Sequence, residues 1–271
     1  MPELPEVEIT RLFVGPIVKG RKIERVDVRT PSLRRPIPEE LSTELSGERI
    51  LDCTRRGKYL LFQCTSGCIL FHLGMSGHLS VVPSSTRPSR HDHLDLVLSG
   101  GLYLRYTDPR RFGSIFWTRS APLEHPLLRN LGPEPLASEF CARDLITRAS
   151  NRTISIKQFL MDSHVIAGLG NIYTNESLFH AGISPLRPAK ELTAHEYQRL
   201  TSSIQYTLQE AISAGKAHFQ SCHTTEDLMG YFPLRFRVYG RSGKPCHICD
   251  LPITRIRLGQ RSTYFCSHCQ S

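Results

Sequence analysis

Two stretches of this chain have residue types and spacings suited to chemistry. One is the opening run Met1-Pro2-Glu3-Leu4-Pro5-Glu6-Val7-Glu8. Removal of Met1, which a small second residue permits, turns Pro2 into a free secondary amine. Such an amine condenses with an aldehyde-like carbon to give an iminium ion that cannot shed its charge by losing an N–H, so it holds electrons well during an elimination. Pro5 suits the first turn of a helix, and Glu3, Glu6 and Glu8 place acid at the positive end of the helix dipole. That end disfavours an ammonium, so an α-amine with an ordinary pKa of about 8 is neutral often enough to attack. Glu3 is then the adjacent acid. Read alone, the same residues also describe a plain helix start with no chemistry.

The other stretch is Cys246-x-x-Cys249 with Cys266-x-x-Cys269, which enclose 16 residues. That spacing belongs to a four-cysteine zinc ribbon. Thiolates suit Zn²⁺, and four of them close its coordination sphere, leaving no place for a catalytic water. The expected metal is therefore one structural Zn²⁺, with no redox cofactor. His247 and His268 lie between paired cysteines and read as exposed spacers. Arg261 falls on the hairpin Gly259-Gln260-Arg261-Ser262, where a guanidinium can grip phosphate bidentately.

Four further segments carry weaker signals. Gly168-Leu169-Gly170-Asn171 joins two helical segments, and the free N–H groups of a helix start make an anion site to which Asn171 can also donate. His72-Leu73-Gly74-Met75-Ser76-Gly77 sets a Met between glycines at a strand end, and Asp108-Pro109-Arg110-Arg111-Phe112-Gly113 sets an aromatic beside two arginines in a turn. An apolar side chain held out on a loop can act as a wedge in a base stack. Equally, Met75 and Phe112 can fold back into the core. Arg55-Arg56-Gly57-Lys58-Tyr59 is a basic turn leading into a strand, and Lys58 there either neutralises phosphate or transfers a proton.

The elements that must position these residues divide the chain in two. After a first helix that Gly15-Pro16 should end or kink come eight short β-like segments: 23–29, 50–54, 59–64, 68–73, 78–82, 93–98, 102–106 and 112–118. Their regular spacing reads as a β-sandwich or barrel. Cys53, Cys64 and Cys68 fall in or beside them as small buried hydrophobes. Pro122, Pro126, Pro133 and Pro135 then interrupt the pattern. Beyond them the period is helical over 138–149, 155–162, 171–180 and 193–214, with Leu200, Ile204, Leu208 and Ile212 on one face of the last. Gly215 should end that helix, 216–229 should be a polar loop, and 231–239 a strand before the cysteine module. The boundaries expected are 1–119, a linker at 120–136, 137–233, and 234–271.

Charge narrows the partners. Among 271 residues, 34 Lys and Arg against 25 Asp and Glu leave +9, which favours a polyanion. The excess is local: Arg235, Arg237, Arg241, Lys244, Arg255, Arg257 and Arg261 face one acid, Asp250, while Lys19, Arg21, Lys22, Arg25, Arg29, Arg34 and Arg35 form a second run. There is no long apolar stretch and no signal-like start, so a soluble cytoplasmic protein is expected. Nine cysteines, an odd number with four in paired spacing, favour reduced thiols and metal over disulfides.

Taken in order, these segments resemble the formamidopyrimidine-DNA glycosylase family of bacterial base-excision repair enzymes. The resemblance runs from Pro2 to Gln270 and is strongest in the opening Pro-Glu-Leu-Pro-Glu-Val-Glu, the His-Leu-Gly-Met-Ser-Gly and Asp-Pro-Arg-Arg-Phe-Gly loops, Gly-Leu-Gly-Asn-Ile-Tyr and the ribbon. It implies an α+β multidomain protein: a β-sandwich beginning with a catalytic helix, a helix-two-turn-helix domain and a zinc finger, with damaged double-stranded DNA between them. It implies Pro2 as nucleophile on C1′ of an oxidised purine nucleotide, Glu3 as the acid that opens the sugar, Lys58 as proton donor for β-elimination and Arg261 as the residue for δ-elimination. His91, Arg110 and Arg152 match DNA contacts, His72 and Asn171 match phosphate ligands, and Met75, Arg110 and Phe112 match the trio that fills the gap left by an everted nucleotide. A monomer associated with the nucleoid is the corresponding expectation.

One region departs from the family pattern. Gly215-Lys216-Ala217-His218-Phe219 and 224–230 replace the usual Gly-Gly-Ser/Thr stretch and glycine-bearing loop over the everted base. Strand cleavage should survive this, and the preference for 8-oxoguanine over ring-opened purines is the property it bears on. Two other readings share much of the pattern. An endonuclease VIII-like enzyme would take oxidised pyrimidines, and a silent damage binder would make the same phosphate contacts without cutting.

Overall fold

The computed structural model describes residues 2–221 and 235–271. These divide into two compact units, one of residues 2–129 with 215–221 and the other of 130–214 with 235–271.

The first unit opens with α1 (Leu4–Val18). Glu3 is its N-cap, and the Glu3 N–H donates to Glu6 Oε2 at 2.8 Å, one arm of a capping box. Of the end or kink expected at Gly15-Pro16, the end does not occur there, because α1 runs through Pro16 to Val18. Proline removes one donor near the C-terminus, where the burial of Val14 and Val18 offsets the loss. Eight antiparallel strands follow: β1 (Ile23–Val28), β2 (Ile50–Arg56), β3 (Tyr59–Cys64), β4 (Cys68–His72), β5 (His78–Pro83), β6 (Asp92–Leu98), β7 (Leu102–Thr107) and β8 (Ser114–Thr118). A short α2 (Leu41–Glu44) lies between β1 and β2.

The strands make two four-stranded sheets, ordered β1-β6-β7-β5 and β2-β3-β4-β8. Leu94, Leu96, Leu104 and Tyr106 of one share a core with Leu60, Phe62, Phe71 and Ile115 of the other, and Val7, Val14 and Val18 of α1 join it. This is the sandwich expected from the strand spacing. The last strand begins at Ser114, two residues later than the pattern suggested, since Phe112 belongs to the preceding loop. Cys53, Cys64 and Cys68 are buried in the core, and burial pushes each thiol up to about 12, so none is a reactive thiolate at neutral pH.

The second unit holds α3 (Ala142–Ala149), α4 (Ile156–Leu160), α5 (Asn171–His180) and most of α6 (Ala194–Ser221), followed by a hairpin of β9 (Thr254–Leu258) and β10 (Arg261–Phe265). Gly215 does not end α6, which continues six residues to Ser221. A helical glycine costs only about 1 kcal/mol, and a C-cap requires a left-handed turn that this sequence does not take at Gly215. The expected polar loop is thus helical at its start, and the rest of it lies outside the described residues. The expected strand over 231–239 is not formed at 235–239, where the N–H groups of 237–239 turn around the Glu176 carboxylate. Residues 231–234 lie outside the described residues. No helix among the described residues is long and apolar enough to cross a membrane.

Candidate active site and nucleic-acid interface

Pro2 is half-buried immediately before α1, and Glu3 beside it is only 2% exposed. The two residues therefore sit at the positive end of a helix whose other face is core. Lys58 lies in the two-residue turn Gly57-Lys58 between Arg56 and Tyr59, the last and first paired residues of β2 and β3. Glu8 connects these two sites. Its carboxylate accepts from Arg11 of its own helix at 2.6 Å and from Arg55 Nε at 3.1 Å, and Arg55 also donates to Gly57 O at 2.9 Å. Burial pushes the Glu8 carboxyl up, but Arg11 and Arg55 outweigh it and hold its pKa below the ordinary value.

His72 ends β4, paired with Tyr59 in register and with its ring centroid 4.8 Å from that of Tyr59. Gly74 N–H donates to His72 Nδ1 at 3.2 Å, which leaves the ring proton on Nε2. Burial, and then the charges of Lys58 and Arg34, push the imidazole down to about 4. At neutral pH His72 is a neutral donor beside two cations, a combination suited to phosphate.

Met75 and Phe112 do not fold back into the core: they are 36% and 42% exposed. The Arg110 guanidinium lies 4.9 Å from the Phe112 ring centroid. Their loops are in direct contact, because Gly74 (φ 64°) lies against the backbone of Phe112 and Gly113 so closely that any Cβ there would collide. Half-buried His91 begins the approach to β6, and its carbonyl accepts from Asp108 N at 3.0 Å.

In the second unit, Asn171 is the first residue of α5 and donates through Nδ2 to Ser262 O at 3.0 Å. Lys157, 1% exposed on α4, donates to the same carbonyl at 2.9 Å and to Thr263 Oγ1 at 2.7 Å. Asn175 accepts from Tyr264 N at 2.9 Å. The β9–β10 hairpin is thereby bound to α4 and α5. Its turn has positive φ at both Gly259 (53°) and Gln260 (63°), a type I′ geometry that glycine makes easy, and exposed Arg261 follows directly. Arg261 and Asn171 are thus brought to one locality through Ser262. Arg152 is exposed just after α3, its carbonyl held by Lys190 N at 3.1 Å.

Cys246, Cys249, Cys266 and Cys269 place their four Sγ atoms within 4.8 Å of one another, with Cys246–Cys269 at 3.9 Å and Cys249–Cys266 at 3.5 Å. Tetrahedral Zn²⁺ with bonds of about 2.3 Å needs sulfurs about 3.8 Å apart, so the set fits. Ile248 N–H and Cys269 N–H each point at a ligand sulfur from 3.5 Å, as thiolates require. His247 and His268 are exposed, as expected of spacers.

Family models agree with this geometry. The formamidopyrimidine-DNA glycosylase N-terminal domain matches residues 1–115, its H2TH domain matches 131–222, and the zinc finger found in FPG and IleRS matches 243–271. The chain belongs to the formamidopyrimidine-DNA glycosylase family. It is 51% identical over 270 residues to the formamidopyrimidine-DNA glycosylase of Geotalea daltonii and 47% identical to that of Pseudomonas aeruginosa, each covering all of both chains. Among solved structures it resembles the MutM (FPG) protein of Thermus thermophilus (38% identity, TM-score 0.85, 99% of this chain and 98% of that one). It also resembles the Lactococcus lactis enzyme in complex with Fapy-dG-containing DNA (32% identity, TM-score 0.88, 99% of each chain). The ribbon is the family's zinc finger, and its four cysteines hold one structural Zn²⁺.

Several residues that position the site carried no signal for it in the sequence. Glu8 reads there only as an acid in a helix start. Glu176 is 4% exposed on α5 and accepts backbone N–H groups from Arg237 (2.7 Å), Val238 (2.9 Å) and Tyr239 (2.8 Å), which is why that segment turns around a carboxylate instead of extending as a strand. Arg34 reads as one charge in a basic run, yet its N–H donates to Gly113 O at 3.1 Å and its charge acts on His72.

Proposed function

We propose that this protein is a bifunctional DNA glycosylase and abasic-site lyase that removes oxidised purines, 8-oxoguanine and formamidopyrimidines, from double-stranded DNA. The observation that carries the reading is the pairing of Pro2 and buried Glu3 at the positive end of α1 with Lys58, whose turn is tied to the same helix through Glu8 and Arg55. Relatives solved with Fapy-dG-containing and abasic-site DNA support it, as does the net charge of +9.

The chemistry follows from the residues. With Met1 present the Pro2 nitrogen is a tertiary amide without a nucleophilic lone pair, so processing precedes activity. A base within the duplex shields C1′, and the nucleotide must be everted, at a cost of a few kcal/mol that wedge residues offset. Pro2 N then bonds to C1′ as the C1′–N bond to the base breaks and the base leaves protonated. Glu3 delivers the proton that opens the sugar ring. The iminium acidifies C2′, whose proton loss expels the 3′ phosphate; a second elimination expels the 5′ phosphate, and the final hydrolysis returns Pro2 as a free amine. Lys58 serves the first elimination and Arg261 the second. His72, His91, Arg152 and Asn171 hold the backbone, and Met75, Arg110 and Phe112 fill the gap, Arg110 facing the orphaned base.

In this reading the domains are 1–119, 137–233 and 234–271 with a linker at 120–136, and one chain suffices as the working unit, associating with the nucleoid through DNA. Borohydride trapping on a duplex with one 8-oxoguanine opposite cytosine tests the proposal. A covalent adduct from the processed protein, absent from a version whose Met1 is retained, is the expected result. Binding without any adduct on purine, pyrimidine or abasic substrates would refute it and favour a silent binder.

A further inference from the structure

Asp108 is fully buried just after β7, and among the described residues the donors that reach its carboxylate are neutral. Oδ1 accepts from Ser76 Oγ at 2.6 Å and from Arg110 N at 3.3 Å, while Oδ2 accepts from Gly113 N at 2.8 Å and Tyr106 Oη at 3.1 Å. Ser76 follows Met75 directly, and Arg110 and Gly113 bracket Phe112. Arg110 N also donates to Ser76 Oγ at 3.2 Å, closing a ring between the loops. The Asp108 backbone is held as well: its N–H donates to His91 O at 3.0 Å, and its carbonyl pairs with His93 Nε2 at 2.8 Å, with His93 Nδ1 on Thr30 Oγ1 at 2.9 Å.

We propose that Asp108 is a positioning residue that makes Met75, Arg110 and Phe112 one pre-formed wedge, so that eversion of a damaged nucleotide does not have to order two separate loops. The inference rests on the wedge reading of these three residues. A buried carboxylate stripped of donors is costly, so the four bonds hold both loops to one register. Neither loop contributes a comparable apolar anchor at its tip, where Met75 and Phe112 are exposed. The carboxylate is also specifically required. In Asp108→Asn either orientation of the amide turns its NH₂ toward a backbone N–H, that of Gly113 or that of Arg110, and neither can reverse to accept.

The test compares substrates that do and do not need a wedge. Asp108→Asn and Ser76→Ala would be made in the full zinc-loaded chain with Met1 removed, and folding checked by thermal melting and zinc content. Excision from a duplex with 8-oxoguanine opposite cytosine should fall about 100-fold in kcat for Asp108→Asn, the scale of an ångström-sized misplacement, and about tenfold for Ser76→Ala, which keeps the Gly113 arm. Borohydride trapping on a single-stranded abasic oligonucleotide, already unstacked, should stay within about threefold of the parent. The fluorescence rise of 2-aminopurine beside the lesion, which reports unstacking on binding without any chemistry, should diminish in both variants. Parallel losses on both substrates, or an unchanged duplex rate and fluorescence, would overturn the proposal. Should Asp108→Asn fail to fold, Ser76→Ala carries the same comparison. A parent that cuts neither substrate would instead refute the glycosylase reading, while the fluorescence arm would still judge the wedge.

Discussion

Glu8 and Arg55 meet at 3.1 Å, and through them the helix that begins after Pro2 is joined to the turn that carries Lys58. Arg55 is 10% exposed and Glu8 18%, so the pair is shielded from water on most sides. The helix that carries the acid proposed to open the sugar, Glu3, and the turn that carries the amine proposed for the first elimination, Lys58, are thus linked by one side-chain pair across α1 and β2.

Replacing Glu8 by Gln should uncouple the two steps. Arg11 and Arg55 would face a neutral amide, and the loss of a partly buried ion pair should lower stability by about 1–3 kcal/mol. The Lys58 turn would lose its tether to α1, so β-elimination should slow more than base release. Comparing strand breaks before and after alkaline treatment reads this directly: the variant should accumulate abasic product that only alkali cleaves. Equal slowing of both steps would count against the tether.

His72 should make the fold acid-sensitive. Its folded pKa of about 4 lies below the ordinary value of 6.5, so the unfolded chain binds a proton that the folded one refuses. The contribution is complete above pH 6.5 and is lost as pH falls toward 4, in the same direction as the carboxylate Glu8, whose lowered pKa acts at more acid pH. Urea midpoints between about pH 7 and pH 4 should decline, and His72→Gln should flatten the upper part of that decline. A midpoint as steep in the variant would show that another group is responsible.

The same neutrality distinguishes His72 from arginine at the DNA. At a pH of about 7.5 an uncharged imidazole donates to phosphate without releasing a counterion, whereas Arg152, in its proposed backbone contact, should release one. Arg152→Ala should reduce the slope of log affinity against log salt by about 0.9, and His72→Ala should weaken binding with the slope unchanged. Titrations of a lesion duplex over a range of salt concentrations decide the comparison, and a reduced slope in His72→Ala would mean the ring is charged when bound.

Removing zinc should disable the β9–β10 hairpin before the sandwich. Stripping the ion takes away the closure of the four sulfurs, leaving the hairpin with hydrogen bonds to Asn171, Asn175 and Lys157 and the packing of Phe179 on the α4 and α5 side. A strong chelator should release one zinc per chain and lower duplex binding by more than about tenfold, while the melting of the β-sandwich changes little. Restored zinc should restore binding. Unaltered binding by the metal-free protein would place the ribbon outside the interface.

Much of this protein is determined locally and is therefore legible in its sequence. The eight strands are marked by alternation and turn residues, the metal by two Cys-x-x-Cys pairs, and the proposed nucleophile by Pro2 in an acidic helix start, because each depends on residues near one another in the chain. Helix ends were less legible. Pro16 and Gly215 are breakers by propensity, and the continuation of α1 and α6 through them depends on what each helix buries. The segment at 235–239 departs from extended structure for a similar reason, since Glu176, far earlier in the chain, supplies the acceptor for its N–H groups.

Only the tertiary structure decided whether Met75 and Phe112 point outward, which tautomer His72 carries, and that Asp108 serves two loops distant in the chain. A sequence shows that a carboxylate or an imidazole is present, and nearby residues can suggest its chemistry. Which donors surround it, and so its charge, tautomer and hold on its neighbours, depends on contacts that form only when distant strands pair and water is excluded from between them.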